Sequence, residues 1–273
     1  MTQPVPSVLV FDSGVGGLSI AAEIRKLLPQ VTIRYLMDDD AFPYGIKEDS
    51  WLEQRILTIC LDAVARLQPD LLVVACNTAS TLALQRLREH LNIPVVGVVP
   101  AIKTAAQQTS TGVIGLLATP ATVSRPYTDR LQTDFASHCT LLRMGSTELV
   151  RWAEELIHNG RFSGDLQQHL QPWLSTGNPS HVVLGCTHFP LLRPWLEQLW
   201  PDIGWVDSGA AIARRVSTLL TGQLTSAAYQ PESHDQTAIP ALFDLHWTSS
   251  LPDYPGVQRF IRSLQAETIL LEN

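Results

Sequence analysis

Two of the four cysteines, Cys76 and Cys186, stand in matching surroundings. Leu71-Leu-Val-Val-Ala-Cys-Asn-Thr and His181-Val-Val-Leu-Gly-Cys-Thr-His are each an apolar run closed by a small residue, a cysteine and polar residues. A free cysteine ordinarily serves as a small buried hydrophobe, but two of them at equivalent ends of apolar runs point to a paired role. A thiol of pKa about 8.5 becomes a useful base where a helix N-terminus or a nearby charge favours the thiolate, and both motifs are placed for this. His188, two residues after Cys186, opens two other chemistries. One is a Cys–His hydrolase, with His188 as base and either cysteine as nucleophile, which leaves the other cysteine without a role. The other is a zinc site from Cys76, Cys186 and His188, for which the local sequence offers no fourth ligand.

Other segments could bind a ligand near these thiols. Phe11-Asp12-Ser13-Gly14-Val15-Gly16-Gly17-Leu18 follows an apolar run and precedes a helical one. Glycines there allow a tight turn and present N–H groups at a helix N-terminus, which favours an anion. The spacing is not G-x-G-x-x-G, so a dinucleotide is a poor fit, and Asp12 at the mouth suits an ammonium group or simply caps the helix. Phe42-Pro43-Tyr44-Gly45, after Asp38-Asp39-Asp40, is a turn whose N–H groups could hold a carboxylate. Thr119 and Thr122, at the end of another apolar run, bind an anion or cap a helix. A pyridoxal phosphate enzyme would need a Schiff-base lysine, and the chain has only Lys26, Lys47 and Lys103, none in an evident setting for it.

The elements that must position these residues read as an α/β fold. Short runs rich in Val, Ile and Leu lie at Ser7 to Phe11, Thr32 to Met37, Leu71 to Ala75, Val95 to Val98 and Val113 to Leu117, then at His181 to Leu184 and Gly204 to Val206. Amphipathic segments lie between them, such as Leu18 to Leu28, Trp51 to Leu67, Ser80 to Leu91 and Thr147 to Asn159. This alternation is how parallel sheets flanked by helices read in sequence. The polar stretch Gln223 to Gln236 reads as a surface loop or linker. The echo between the two cysteine motifs suggests two similar, pseudo-symmetric halves. Because ligands gather beyond the carboxyl ends of parallel strands, the two cysteines are expected to face each other across a cleft.

Composition sets the outer bounds. The 273 residues, 45% hydrophobic and 16% charged, suffice for a full core. A net charge of -7 offers no broad cationic field for nucleic acid. The start, Met1-Thr-Gln-Pro-Val-Pro-Ser, lacks the pattern of a signal peptide, and no apolar run approaches the roughly 20 residues needed to span a bilayer. A cytoplasmic chain with reduced cysteines is expected.

Taken together, the motifs resemble those of the glutamate racemases in the aspartate/glutamate racemase superfamily. They are F-D-S-G-V-G-G-L at 11 to 18, P-Y-G at 43 to 45, A-C-N-T-A-S at 75 to 80, G-V-V-P-A at 97 to 101, G-C-T-H-F-P-L-L at 185 to 192 and D-S-G at 207 to 209. The similarity runs from about residue 7 to 220, and D-S-G-V-G-G-L with P-Y-G favours glutamate over aspartate or hydantoins. The resemblance implies two facing α/β domains, 1–98 with 212–273 and 99–211, and an active site in the cleft between them. It implies that Cys76 and Cys186 exchange the Cα proton without cofactor or metal, with Asp12 supporting the Cys76 side and His188 the Cys186 side. Asp12, Ser13, Pro43, Tyr44, Gly45, Asn77, Thr78, Thr119, Thr122, Thr187 and His188 would bind substrate. D-glutamate for peptidoglycan is the implied product. Many members carry a Glu in a V-P-L-V-E-type segment, whereas Leu142 to Val150 follows a different pattern and gives Glu148 no role. Dimers are common among such enzymes, so a homodimer is open. The rival readings are a racemase of another acidic amino acid and a non-catalytic amino-acid-binding module.

Overall fold

The computed structural model describes residues 5–226, 243–250 and 254–271. Its strands are β1 (Ser7–Asp12), β2 (Thr32–Met37), β3 (Leu71–Val74), β4 (Val95–Gly97), β5 (Val113–Ala118), β6 (Thr140–Gly145), β7 (His181–Leu184), β8 (Gly204–Val206) and β9 (Phe243–Trp247). Its helices are α1 (Leu18–Leu27), α2 (Asp49–Leu67), α3 (Asn77–His90), α4 (Ile102–Gln108), α5 (Pro120–Ser124), α6 (Pro126–Ala136), α7 (Glu148–Asn159), α8 (Leu166–Leu174), α9 (Arg193–Leu199), α10 (Gly209–Ser226) and α11 (Pro255–Leu271). The fold is α/β, with two separate parallel sheets. The first runs in the order β4-β3-β1-β2-β9 and the second β6-β5-β7-β8.

Each sheet is buried on both faces, which is why its central strands read as unbroken apolar runs. Alternate residues serve opposite layers. In the first sheet Val8, Val10, Tyr35 and Val73 face α1, α10 and α11 through Leu18, Ile24, Val216 and Val257. Leu9, Phe11, Leu72 and Val74 face α2 and α3 through Leu52, Ile56, Ala83 and Leu87. In the second sheet Leu117, Val182 and Leu184 pack on Leu149, Trp152 and Leu170, while Ile114, Leu116 and Val183 pack on Ile102, Ala105 and Leu131.

All seven expected strands form, with ends within one residue of the expectation. Two further strands were not foreseen. The edge strand β6 is only half-buried and carries Arg143, and β9 alternates apolar Phe243, Leu245 and Trp247 with Asp244 and His246, so neither reads as an apolar run. Within the polar stretch expected as a loop, Gln223 to Ser226 instead continue α10; residues 227–236 lie outside the described residues. Strand β9 pairs with β2 in register Tyr35 to Leu245, which returns the chain to the first sheet after the second is complete.

Candidate active site

The carboxyl ends of β1, β3, β5 and β7 meet around a cavity of about 150 Å³. Ser13, Pro43, Tyr44, Gly45, Cys76, Asn77, Thr78, Thr119, Cys186, Thr187 and His188 all line it. Both cysteine motifs therefore open on one space. Two of the expected residues do not line it: Asp12 and Thr122 lie one layer back, 0% and 1% exposed. None of the three lysines lines it. Among the described residues no group of three or more His, Cys, Asp or Glu is arranged to hold a metal ion.

Cys76 follows β3 through Ala75 and occupies the N-cap position of α3, where the Thr78 and Ala79 N–H groups favour the thiolate although no side-chain cap bond forms. Ser80 anchors this turn, donating to Val74 O at 2.9 Å and accepting from Val98 N at 3.0 Å. Burial pushes the Cys76 thiol well up, and the nearby Asp12 carboxylate adds to this, so the sulfur carries its proton. Cys186 is placed differently. It follows β7 through Gly185 and leads into a short 3-10 turn, Phe189–Leu192, so the α-helix N-terminus expected beside it is absent. Its partner is a side chain: His188 Nδ1 lies 3.7 Å from Cys186 Sγ.

Two buried carboxylates lie behind the cavity lining. Asp12 accepts from Ser13 N at 2.6 Å and from Thr187 Oγ1 at 2.9 Å, joining the end of β1 to the Cys186 loop. It does not cap α1, which has no side-chain cap. Burial raises its pKa although His188, Thr187 and Ser13 work against this. On the other side His188 Nε2 contacts Glu154 Oε1 at 2.7 Å. Burial alone would drive Glu154 up, but hydrogen bonds from His158, His188 and the Val15 N–H hold it down at about 2. Burial likewise pulls His188 down, and the Cys186 sulfur and Glu154 carboxylate reverse that and keep it protonated well above the ordinary imidazole range. An imidazolium thus sits between the Glu154 carboxylate and the Cys186 sulfur.

The glycine loop has a use beyond the one expected. The Val15 N–H is given to Glu154 Oε1 at 3.0 Å. A Cβ on Gly14 would stand 2.3 Å from Glu154 Oε1, and one on Gly16 would stand 2.4 Å from His188 Nδ1. These glycines are small so that the loop after β1 can press against α7 and the Cys186 loop. The Pro-Tyr-Gly turn is held from behind: Tyr44 Oη donates to Asp38 Oδ2 at 2.6 Å, and Arg55 grips the same buried carboxylate with two bonds of 2.7 Å. Thr119 caps α5 by accepting from Thr122 N, and their hydroxyls meet at 3.0 Å. The side-chain oxygen of Asn77 is buried with no hydrogen-bond partner, an acceptor left for a ligand.

The Asp/Glu/Hydantoin racemase family model matches residues 18–266. The chain belongs to that family. It is 52% identical over 229 residues to the glutamate racemase of Salmonella gallinarum, covering 83% of this chain and 81% of that one. It is also 52% identical over 218 residues to the glutamate racemase of Pectobacterium atrosepticum, covering 79% and 76%. Among solved structures it resembles Escherichia coli glutamate racemase in complex with L-glutamate and the activator UDP-MurNAc-Ala, with a TM-score of 0.84, 44% identity and 96% of each chain covered.

In this racemase the cavity also includes Phe42, Ile46, Thr147, Val150, Arg151 and Glu154, which the sequence reading did not select. Glu148, left without a role there, bonds locally to Ser146 and Thr147 at the start of α7. The carboxylate that reaches the site is Glu154, six residues on. A signal for it was present. Glu154 falls on the apolar stripe of α7 with Val150, Ala153 and Ile157, and a charge on a buried stripe requires a partner.

Proposed function

We propose that this enzyme interconverts L- and D-glutamate by a two-cysteine transfer of the Cα proton, with no cofactor. The carrying observation is that Cys76 and Cys186 line one cavity, with Cys186 linked through His188 to the Glu154 carboxylate and Asp12 buried behind the Cys186 loop. One sulfur removes the Cα proton as a thiolate. The electron pair left on Cα spreads into the substrate carboxylate, and the other thiol returns its proton to the opposite face. The protonation of the two cysteines is exchanged by each turnover. Most of the barrier reduction comes from placement and from stabilising charge on that carboxylate, for which Asn77, Thr78, Thr187 and the N–H groups of the Pro43-Tyr44-Gly45 turn are assigned. The unpartnered Asn77 oxygen and Asp12 favour the ammonium group. Ser13 and Thr119 complete the proposed set, with Thr122 supporting Thr119 from behind.

Cys76 carries its proton in the resting enzyme, and the His188 cation stands 3.7 Å from Cys186 Sγ. The two sheets mark two domains, which we divide as 1–98 with 212–273 and 99–211. A cytoplasmic site and a D-glutamate product for peptidoglycan belong to the same reading, which the likeness to glutamate racemases supports. No helix among the described residues is long and apolar enough to cross a membrane.

The test is deuterium incorporation at Cα from D2O together with optical rotation, starting from each isomer, with metal-stripped protein. Cys76→Ser and Cys186→Ser should each lower racemisation by about 10²–10⁴-fold or more, and exchange without racemisation should survive on one face only. Full racemisation by Cys186→Ser would refute the scheme. Binding without any exchange by the unmodified protein would establish a binding module instead.

A further inference from the structure

The proposed reaction uses His188 and leaves a second histidine unexplained. His158 lies one turn beyond Glu154 on α7, and its Nε2 contacts Glu154 Oε2 at 3.2 Å. The two oxygens of Glu154 are thereby divided: Oε1 serves His188 and the Val15 N–H, and Oε2 serves His158. Glu154 is 15% exposed and His158 32%, so the contact lies at the margin of the buried pair.

His158 is itself held by the returning C-terminal segment. Its ring packs on that of Tyr254 with centroids 5.7 Å apart, and its carbonyl accepts from Arg259 at 3.0 Å. Tyr254 donates to Asp39, which also accepts from the Thr248 and Ser249 N–H groups at 3.0 Å. At Gly256, where α11 begins, the backbone passes so close to the last turn of α7 that a Cβ would stand 2.4 Å from Ile157 O. The ring is thus confined between α7 and the start of α11. The charged and titratable groups around it are Glu154 on its own helix, and Tyr254, Arg259 and, through Tyr254, Asp39.

We propose that His158 is a positioning residue for proton transfer at Cys186: it holds the Glu154 carboxylate in the orientation that aims His188 at the sulfur. A carboxylate gripped through one oxygen alone can rotate about its last bond. Gripped through both, it fixes the plane of His188, and with it the 3.7 Å approach of Nδ1 to Cys186. This rests on the two-cysteine reading, and His158 touches neither substrate nor sulfur.

The test compares His158→Ala, His158→Gln and Cys186→Ser in the full chain with L- and D-glutamate, protonated or deuterated at Cα. A hydrogen bond to a charged group lost from His158→Ala should lower kcat/KM by about 10-fold, equally in both directions because the equilibrium constant of a racemase is one. A looser fold would do the same, so the isotope effect decides. The deuterium effect should rise for the isomer whose Cα–H faces Cys186, since that transfer alone is slowed, and should fall for the other isomer. His158→Gln, which keeps an N–H near Oε2, should recover most of the rate and serves if His158→Ala does not fold. If Cys186→Ser is inactive while both His158 variants keep wild-type rates and isotope effects, the inference is overturned and the two-cysteine reading stands. If Cys186→Ser racemises normally, that reading fails and the inference with it.

Discussion

Glu154 is pulled in opposite directions, by burial toward the neutral acid and by two histidines and one amide toward the carboxylate. Its pKa of about 2 against an ordinary 4.5 says that the partners prevail. A group depressed on folding stabilises the native state above its unfolded pKa, and that contribution is lost as pH falls through the folded value. The racemase should therefore lose stability between about pH 4.5 and about 2 partly through this one group, and Glu154→Gln should flatten that limb. Urea midpoints measured across this range check it: identical acid limbs for the two proteins would mean that Glu154 is not the group responsible. The residues with the strongest side-chain chemistry, the two cysteines and His188, were legible in sequence because they stand at the ends of apolar runs. Glu154 left only its place on an apolar stripe as a signal, since its partner His188 lies 34 residues away in the chain.

At the scale of elements, the loop between β1 and α1 owes its two small residues to what lies against it. Gly14→Ala would drive a methyl into Glu154, and Gly16→Ala would drive one into His188. Overpacking of this kind costs about 1–3 kcal/mol. Both variants should melt at lower temperature, and both should lose kcat/KM by more than the loss of folded protein accounts for, because the groups displaced are those that set Cys186. Unchanged kcat/KM in a variant that melts earlier would show that the loop is packed against the site without tuning it. The sequence announced this loop as a turn rich in N–H donors, and that was half of its meaning. Glycines chosen for close approach and glycines chosen for anion binding look alike until the opposing surface is known. Strand β9 illustrates the complementary limit: its alternating Phe243-Asp-Leu-His-Trp pattern belongs to a sheet edge that only tertiary structure reveals, and its partner β2 lies about 200 residues earlier in the chain.

For the whole molecule, the two sheets are also joined away from the carboxylates. Arg125, at the junction of α5 and α6 beside the second sheet, donates to Thr81 Oγ1 at 2.9 Å on α3 and to Asp49 at 2.6 Å on α2. The guanidinium is 14% exposed and the Asp49 carboxylate 58%, so the pair is worth little in total stability but bears directly on how the halves meet. Arg125→Ala should raise KM about 2- to 5-fold with kcat nearly unchanged, and added salt should raise the wild-type KM toward the variant's; a fall in kcat alone would contradict this. The α/β class and the likeness of the halves were legible from alternation and from the repeated cysteine motif. The contacts between the halves were not, because Arg125, Thr81 and Asp49 carry no pattern that pairs them. The pairing of β9 with β2 has a consequence for the order in which the molecule can be made. Synthesis runs from the N-terminus, so the second sheet, β5 to β8, is complete in the nascent chain while the first still has the β2 side of its sheet unpaired. That open edge is a template for wrong partners. It closes only when Phe243–Trp247 leave the ribosome, and Tyr254, which steadies His158, follows just behind. The half begun first is finished last, and the site is complete only once that half has closed.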